Sequence, residues 1–185
     1  MGRATKKRVE LGKTLDLGVW SDSLATRIRA YFSSSTIFPL GAVPKALEVN
    51  EMRPTSDHTR TGANAATDMS LLRHALNSYH ELAWFLKQDY FLRVSDVEVA
   101  FPLLPLHPDL WGFFLFRFFS NPSTGSDLTQ HLYLHLCGDF GAAGMPGAFK
   151  IFFVDVVCGM ARYCNVLILP MMIYVDDCGL VRQLA

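Results

Sequence analysis

Apolar positions recur along this chain in two rhythms, and each change of rhythm marks an element. Between residues 68 and 84, Leu71, Leu72, Ala75, Leu76, Tyr79 and Leu82 return every three or four positions, the period of a helix with one buried face. Thr67 or Asp68 stands where such a helix takes its N-cap. From 91 to 101 polar and apolar residues alternate as in a strand. Segments 110–119 and 128–136 are two further strands, and the turn-rich stretch 120–126 between them predicts an antiparallel hairpin. A glycine-rich bend over 138–144 precedes Pro146, which suits the first turn of a helix running to about Tyr163. Residues 166–174 then read as a short apolar strand with Asp176 and Asp177 at its end.

The N-terminal part is less regular. Residues 1–50 show no firm period and are punctuated by Pro39, Gly41 and Pro44, so they predict a leading segment with one short helix near 21–32. Residues 51–67 are polar and rich in turn formers, the composition of a working loop. The expected division is therefore a leading segment over 1–50 and the main body over 51–185.

Composition narrows the class. Half of the 185 residues are hydrophobic and fourteen are Phe, which excludes a disordered chain and suits one packed domain. Seventeen basic and seventeen acidic residues cancel, yet residues 1–95 hold thirteen of the basic ones and nine of the acidic ones. A basic first half and an acidic second half suit a protein that meets polyanions with one part and cations with the other. Cys137, Cys158, Cys164 and Cys178 show neither a CxxC pair nor a zinc-site spacing, and read as buried free thiols. The N-terminus has no apolar core of a secretory signal and no myristoylation pattern, so an intracellular, unsecreted protein of cytoplasm or nucleus is expected.

The stretch 151–175 approaches the length of a membrane span, but it contains Asp155, Arg162, Asn165 and the helix breaker Pro170. A charge at the bilayer centre costs roughly 2.5–3.5 kcal/mol, so a buried helix followed by a strand is the better expectation and no membrane partner is expected.

Acids in apolar strands carry the first chemical signal. Asp176 and Asp177 follow Met171-Met172-Ile173-Tyr174-Val175, and Asp96 stands among Val94, Val97 and Val99. Such charges need exposure or a cation, since burial alone would leave them protonated. Three carboxylates gathered by two strands would suit Mg²⁺ and its oxygen ligands, and a two-metal arrangement supports in-line phosphoryl or nucleotidyl transfer.

These residues also resemble a known family. Tyr174-Val175-Asp176-Asp177 is similar to the YxDD box of reverse transcriptases. The run from Asp96 to Phe101, followed by Pro105-Leu106-His107-Pro108, resembles the family's first catalytic-aspartate motif. Phe140-Gly141 through Pro146 and Phe149 has the spacing of the FGLSSAPRVF motif, and Arg53-Pro54, Asp57, Arg60 and Asn64 resemble the fingers segment. Together these motifs span Arg53 to Leu180 in the family's order.

The resemblance implies an α+β fold, fingers joined to an incomplete palm, with an antiparallel sheet backed by helices. It implies an RNA-directed DNA polymerase of a retroelement, joining dNTPs to a primer 3′-hydroxyl on an RNA or DNA template. Asp96, Asp176 and Asp177 would hold two Mg²⁺ ions, or Mn²⁺, with the Val97 carbonyl as a further ligand. Phe101 would be the aromatic gate against a ribose 2′-hydroxyl, its ring edge partly open. Arg53 and Arg60 would reach the triphosphate, and Phe140 and Gly141 would lie beside the nucleotide. The sequence departs from the family at Asp139, where Pro is usual and where an acid would lie near bound phosphates, and at Pro102 behind the gate. Eight residues follow Asp177, so the returning strand is expected to be barely present and the isolated chain inactive without a thumb from a partner chain. Two other readings stay open: a catalytically inactive remnant of a retroelement polymerase, and a small membrane protein.

Overall fold

The computed structural model describes residues 2–44, 52–72, 79–119, 129–167, 171–174 and 177–183. The chain is α+β and folds as two compact units, one made of residues 1–67 and 101–145, the other of 68–100 and 146–185.

In the first unit, helix α1 (Gly2–Glu10) leads into strand β1 (Thr14–Val19), and helix α2 (Asp22–Tyr31) follows. Ser21 begins α2 because its hydroxyl accepts the Leu24 N–H, one of the donors a helix start leaves free. Strand β2 (Ile37–Phe38) is short, and β3 (Leu40–Pro44) pairs antiparallel with β4 (Met52–Ser56). Helix α3 (Ala63–Ala66) follows the turn at 57–62. The expected hairpin is present as β6 (Leu115–Phe119) and β7 (Gln130–His135), paired from Leu115–Leu134 to Phe119–Gln130. β1 adds antiparallel to β7 and β2 adds parallel to β6, giving the order β1-β7-β6-β2. Leu106, Phe114, Leu115, Leu132 and Leu134 form the core between this sheet and α2, with Leu24, Ile28 and Trp111 packed against them. A second cluster of Phe38, Phe116 and Tyr133 fills the neighbouring space.

The second unit is built on a three-stranded antiparallel sheet: β5 (Tyr90–Asp96), β8 (Met171–Tyr174) and β9 (Asp177–Gln183), in the order β5-β9-β8. It also contains helix α4 (Tyr79–Phe85) and the helical run α5 (Met145–Phe149), a π-helical stretch Lys150–Cys158, and α6 (Gly159–Tyr163). Cys158, Ile173 and Cys178 form its core, with Val97, Phe153 and Leu167 against them.

Several expectations change. The leading segment carries two helices and three strands, two of which, β1 and β2, join the main sheet. The polar stretch 51–67 is strand β4 before it is a turn, because β3 supplies hydrogen-bonding partners along it. No helix starts at Thr67 or Asp68: Thr67 closes α3, and the Asp68 carboxylate accepts the Ser70 N–H in a turn. Residues 73–78 of that expected helix lie outside the described residues, and its last part, 79–84, is helical as expected, within α4. The strand over 110–119 begins only at Leu115, since Pro108–Phe113 is 3₁₀ helix. The returning strand β9 is seven residues long and is the central strand of its sheet. All four cysteines are free, but Cys164 is exposed. Among the described residues no helix is long and apolar enough to cross a membrane, and the run after Pro146 ends at Tyr163.

Candidate functional site

The three-stranded sheet places two of the predicted acids face to face. β5 and β9 pair from Tyr90–Gln183 to Asp96–Asp177, so Asp96 and Asp177 are the last cross-strand partners. Residues directly opposite in such a ladder hold their Cβ atoms about 4.5–5.5 Å apart. β8 and β9 pair from Met171–Leu180 to Tyr174–Asp177, so β8 returns into β9 through a two-residue connection. That connection, Val175 and Asp176, lies outside the described residues. Both Asp96 and Asp177 are exposed, and neither has an ion-pair partner among the described residues. Like charges directly opposite destabilise a sheet, so this pair works against the ladder unless a cation joins it.

Val97, one residue beyond β5, packs its side chain into the core of Cys158, Ile173 and Cys178. Val99 follows with φ +59°, a left-handed conformation that a β-branched residue adopts only under strain.

The other predicted residues lie in the first unit. Phe101 is only 5% exposed, and its ring sits against Phe140 with centroids 4.7 Å apart. The open ring edge expected of a gate is therefore not present; the phenyl group is core. Gly141 has φ +108°, and a Cβ there would run into the Ser56 carbonyl, so this position requires glycine. Asn64 holds the same bend: its amide donates to the Gly141 carbonyl at 2.9 Å, and its carbonyl accepts the Ala143 N–H at 2.8 Å. Arg53 stands on β4 opposite Val43. Arg60 is exposed on the turn after β4, where the Asp57 carboxylate accepts its backbone N–H at 2.9 Å.

A buried polar cluster was not anticipated. Asp139, expected near bound phosphates, is 4% exposed and is enclosed by Arg8, Ser56, His58 and His135. The Arg8 guanidinium lies 3.3 Å from Asp139 Oδ1 and donates to His135 Nε2 at 3.4 Å. His135 therefore donates through Nδ1 to the Thr14 hydroxyl, 2.9 Å away. Ser56 donates to Asp139 Oδ2, while His58 Nε2 stands 3.9 Å from that oxygen, without a hydrogen-bond partner.

Burial pushes the Asp139 carboxyl up, but His58, His135, Arg8 and Ser56 together outweigh it and hold it down at about 2. Burial lowers His135 to about 4 against the opposing pull of Asp139, with Arg8 and His58 adding to the fall. Because the Arg8 guanidinium already occupies the place a cation would take beside Asp139, the cluster is a structural one. Among the described residues no group of three or more His, Cys, Asp or Glu is arranged to hold a metal ion. The only hint of this cluster in the sequence was Asp139 itself, an acid in an apolar setting.

Compared with models of known protein families and with curated proteins, the chain matches none.

Proposed function

We propose that this chain is the fingers and palm portion of an RNA-directed DNA polymerase of a retroelement. The observation that carries the reading is the cross-strand pair Asp96–Asp177, two exposed carboxylates without an ion-pair partner among the described residues, at the end of the β8–β9 hairpin. A protein gains nothing in stability from that pairing, whereas two carboxylates at this separation suit a hard divalent cation. Asp96 and Asp177, with Asp176 beside the latter in sequence, would hold two Mg²⁺ ions, and Mn²⁺ would serve in their place. When bound, the ions stabilise the attacking and leaving oxygens of an in-line displacement. The carboxylates themselves set where the primer 3′-hydroxyl and the α-phosphate of a dNTP can meet. Arg60, exposed on its turn, carries a guanidinium whose fork suits phosphate.

Primer extension on an RNA template with Mg²⁺ or Mn²⁺, with a thumb supplied in trans if needed, tests the reading. Extension by the parent chain, lost in Asp96→Asn and in Asp177→Asn, is the expected result. Mg²⁺ binding without extension under all these conditions would favour the inactive remnant.

A further inference from the structure

Helix α2 carries a charge where its own pattern calls for an apolar residue. Leu24, Arg27, Ile28 and Tyr31 stand at the three- and four-residue spacing of a core-facing stripe. Leu24 and Ile28 pack against the core of the first unit beside Phe32 and Trp111. Arg27 and Tyr31 do not join them: both are exposed, the tyrosine by 77%. With Leu15 of β1 and Leu134 of β7, these side chains border a groove of about 300 Å³. That is the small end of the roughly 300–1,000 Å³ that ligand clefts span.

The few polar groups of this groove define what fits it. The Trp111 indole N–H donates to the Leu106 carbonyl at 3.1 Å, so its ring serves as wall. The Tyr31 ring stands edge-on to Phe32, with centroids 4.9 Å apart. Arg27 is the one charged residue among the described residues that line the groove, and it has no carboxylate partner among them. Its stem can lie along the apolar surface while the guanidinium fork offers a carboxylate two parallel hydrogen bonds. A neutral ligand would leave that fork unmatched, and a cation would be repelled by it. A polyanion would lack a second positive charge in the groove.

We propose that this groove binds a small arylalkanoate, with its carboxylate on Arg27 and its aromatic body against Leu24, Ile28 and Trp111. The groove contains none of Asp96, Asp176 and Asp177, so the proposal goes beyond the polymerase reading and is tested apart from it.

Isothermal titration of the whole chain with phenylhexanoate, phenylbutanoate and the uncharged phenylhexanol tests it. At low salt, phenylhexanoate should bind about fivefold more tightly than the alcohol, the scale of an exposed ion pair. It should bind about tenfold more tightly than phenylbutanoate, because two further methylenes are buried. Arg27→Gln should reduce the acid to the level of the alcohol and leave the alcohol unchanged. Tyr31→Ser should weaken acid and alcohol alike. Arg29→Gln, the same loss of charge on α2 outside the groove, should change neither, and melting temperatures should show all three variants folded. Asp96→Asn should bind phenylhexanoate as the parent does, so lost extension with intact binding points to the carboxylates alone. The proposal is overturned if the parent fails to bind phenylhexanoate at millimolar concentration, or if acid and alcohol bind equally. It is equally overturned if Arg27→Gln keeps the preference for the acid, or if Arg29→Gln loses it. Self-association of the parent in sedimentation, dissolved by Tyr31→Ser, would give the groove to a second copy of the chain and overturn it as well.

Discussion

Val99 holds a conformation its own side chain opposes. A β-branched residue at φ +59° strains its backbone by about 1–2 kcal/mol, and at 42% exposure its side chain recovers little of that through packing. Val99→Asn should therefore raise stability by about 1 kcal/mol, read as a higher midpoint in urea with an unchanged slope. A lower midpoint would mean that the isopropyl contacts outweigh the strain. Phe101, two residues on, gives the opposite expectation. Its buried ring makes Phe101→Val costly, by about 2–4 kcal/mol on the scale of large-to-small core changes, and a loss below 1 kcal/mol would contradict its place in the core. The sequence located both residues but could not separate them. Alternating apolar letters mark a strand and its flank equally well, and neither a left-handed backbone nor the side from which Phe140 covers a ring has any local signature.

At the scale of elements, legibility followed the partner each segment finds. The β6–β7 hairpin could be read because two apolar runs flank a stretch of turn formers, and each strand carries its own signal. β4 could not, since Pro54, Thr55 and Ser56 look like loop and become strand only beside β3. A two-stranded edge tolerates a proline that a central ladder would reject. The π-helical stretch was also hidden: widening a helix by one residue per turn leaves an apolar segment apolar. The pairing of β5 with β9 carries the testable consequence. Without divalent cations, Asp96→Asn should stabilise the protein by about 0.2–1 kcal/mol, because it removes one of two like charges facing across the ladder. Millimolar Mg²⁺ should raise the melting temperature of the parent and leave that of the variant nearly unchanged. Equal melting temperatures with and without Mg²⁺ in the parent would leave the pair without a metal to explain it.

The largest scale is set by contacts no local pattern announces. Arg8 and Asp139 are 131 positions apart, and together with Ser56, His58 and His135 they tie α1, β4 and the end of β7 into one buried knot of the first unit. Its members are too dispersed to form a motif, which is why the sequence offered only the isolated Asp139. The knot makes stability depend on pH in a stated window. His135 is held at about 4 in the fold, below its free value of 6.5. Above pH 6.5 it is neutral in both states, and its native arrangement with Arg8 and Thr14 is fully favourable. Between 6.5 and 4 the unfolded chain takes up a proton that the native state refuses, so stability falls by up to about 3 kcal/mol. Asp139, held at about 2, keeps its stabilising contribution above its free value of 3.8 and loses it only as pH falls through about 2. The two windows therefore separate, the histidine first and the carboxylate later. His135→Gln keeps an acceptor for Arg8 and a donor for Thr14 but cannot titrate. Urea unfolding at intervals from pH 7.5 to 4 should show the parent losing about 3 kcal/mol more than this variant, nearly all of it below pH 6.5. Parallel curves for the two proteins across that range would remove His135 as the source of acid sensitivity and, with it, the neutral imidazole on which the knot is built.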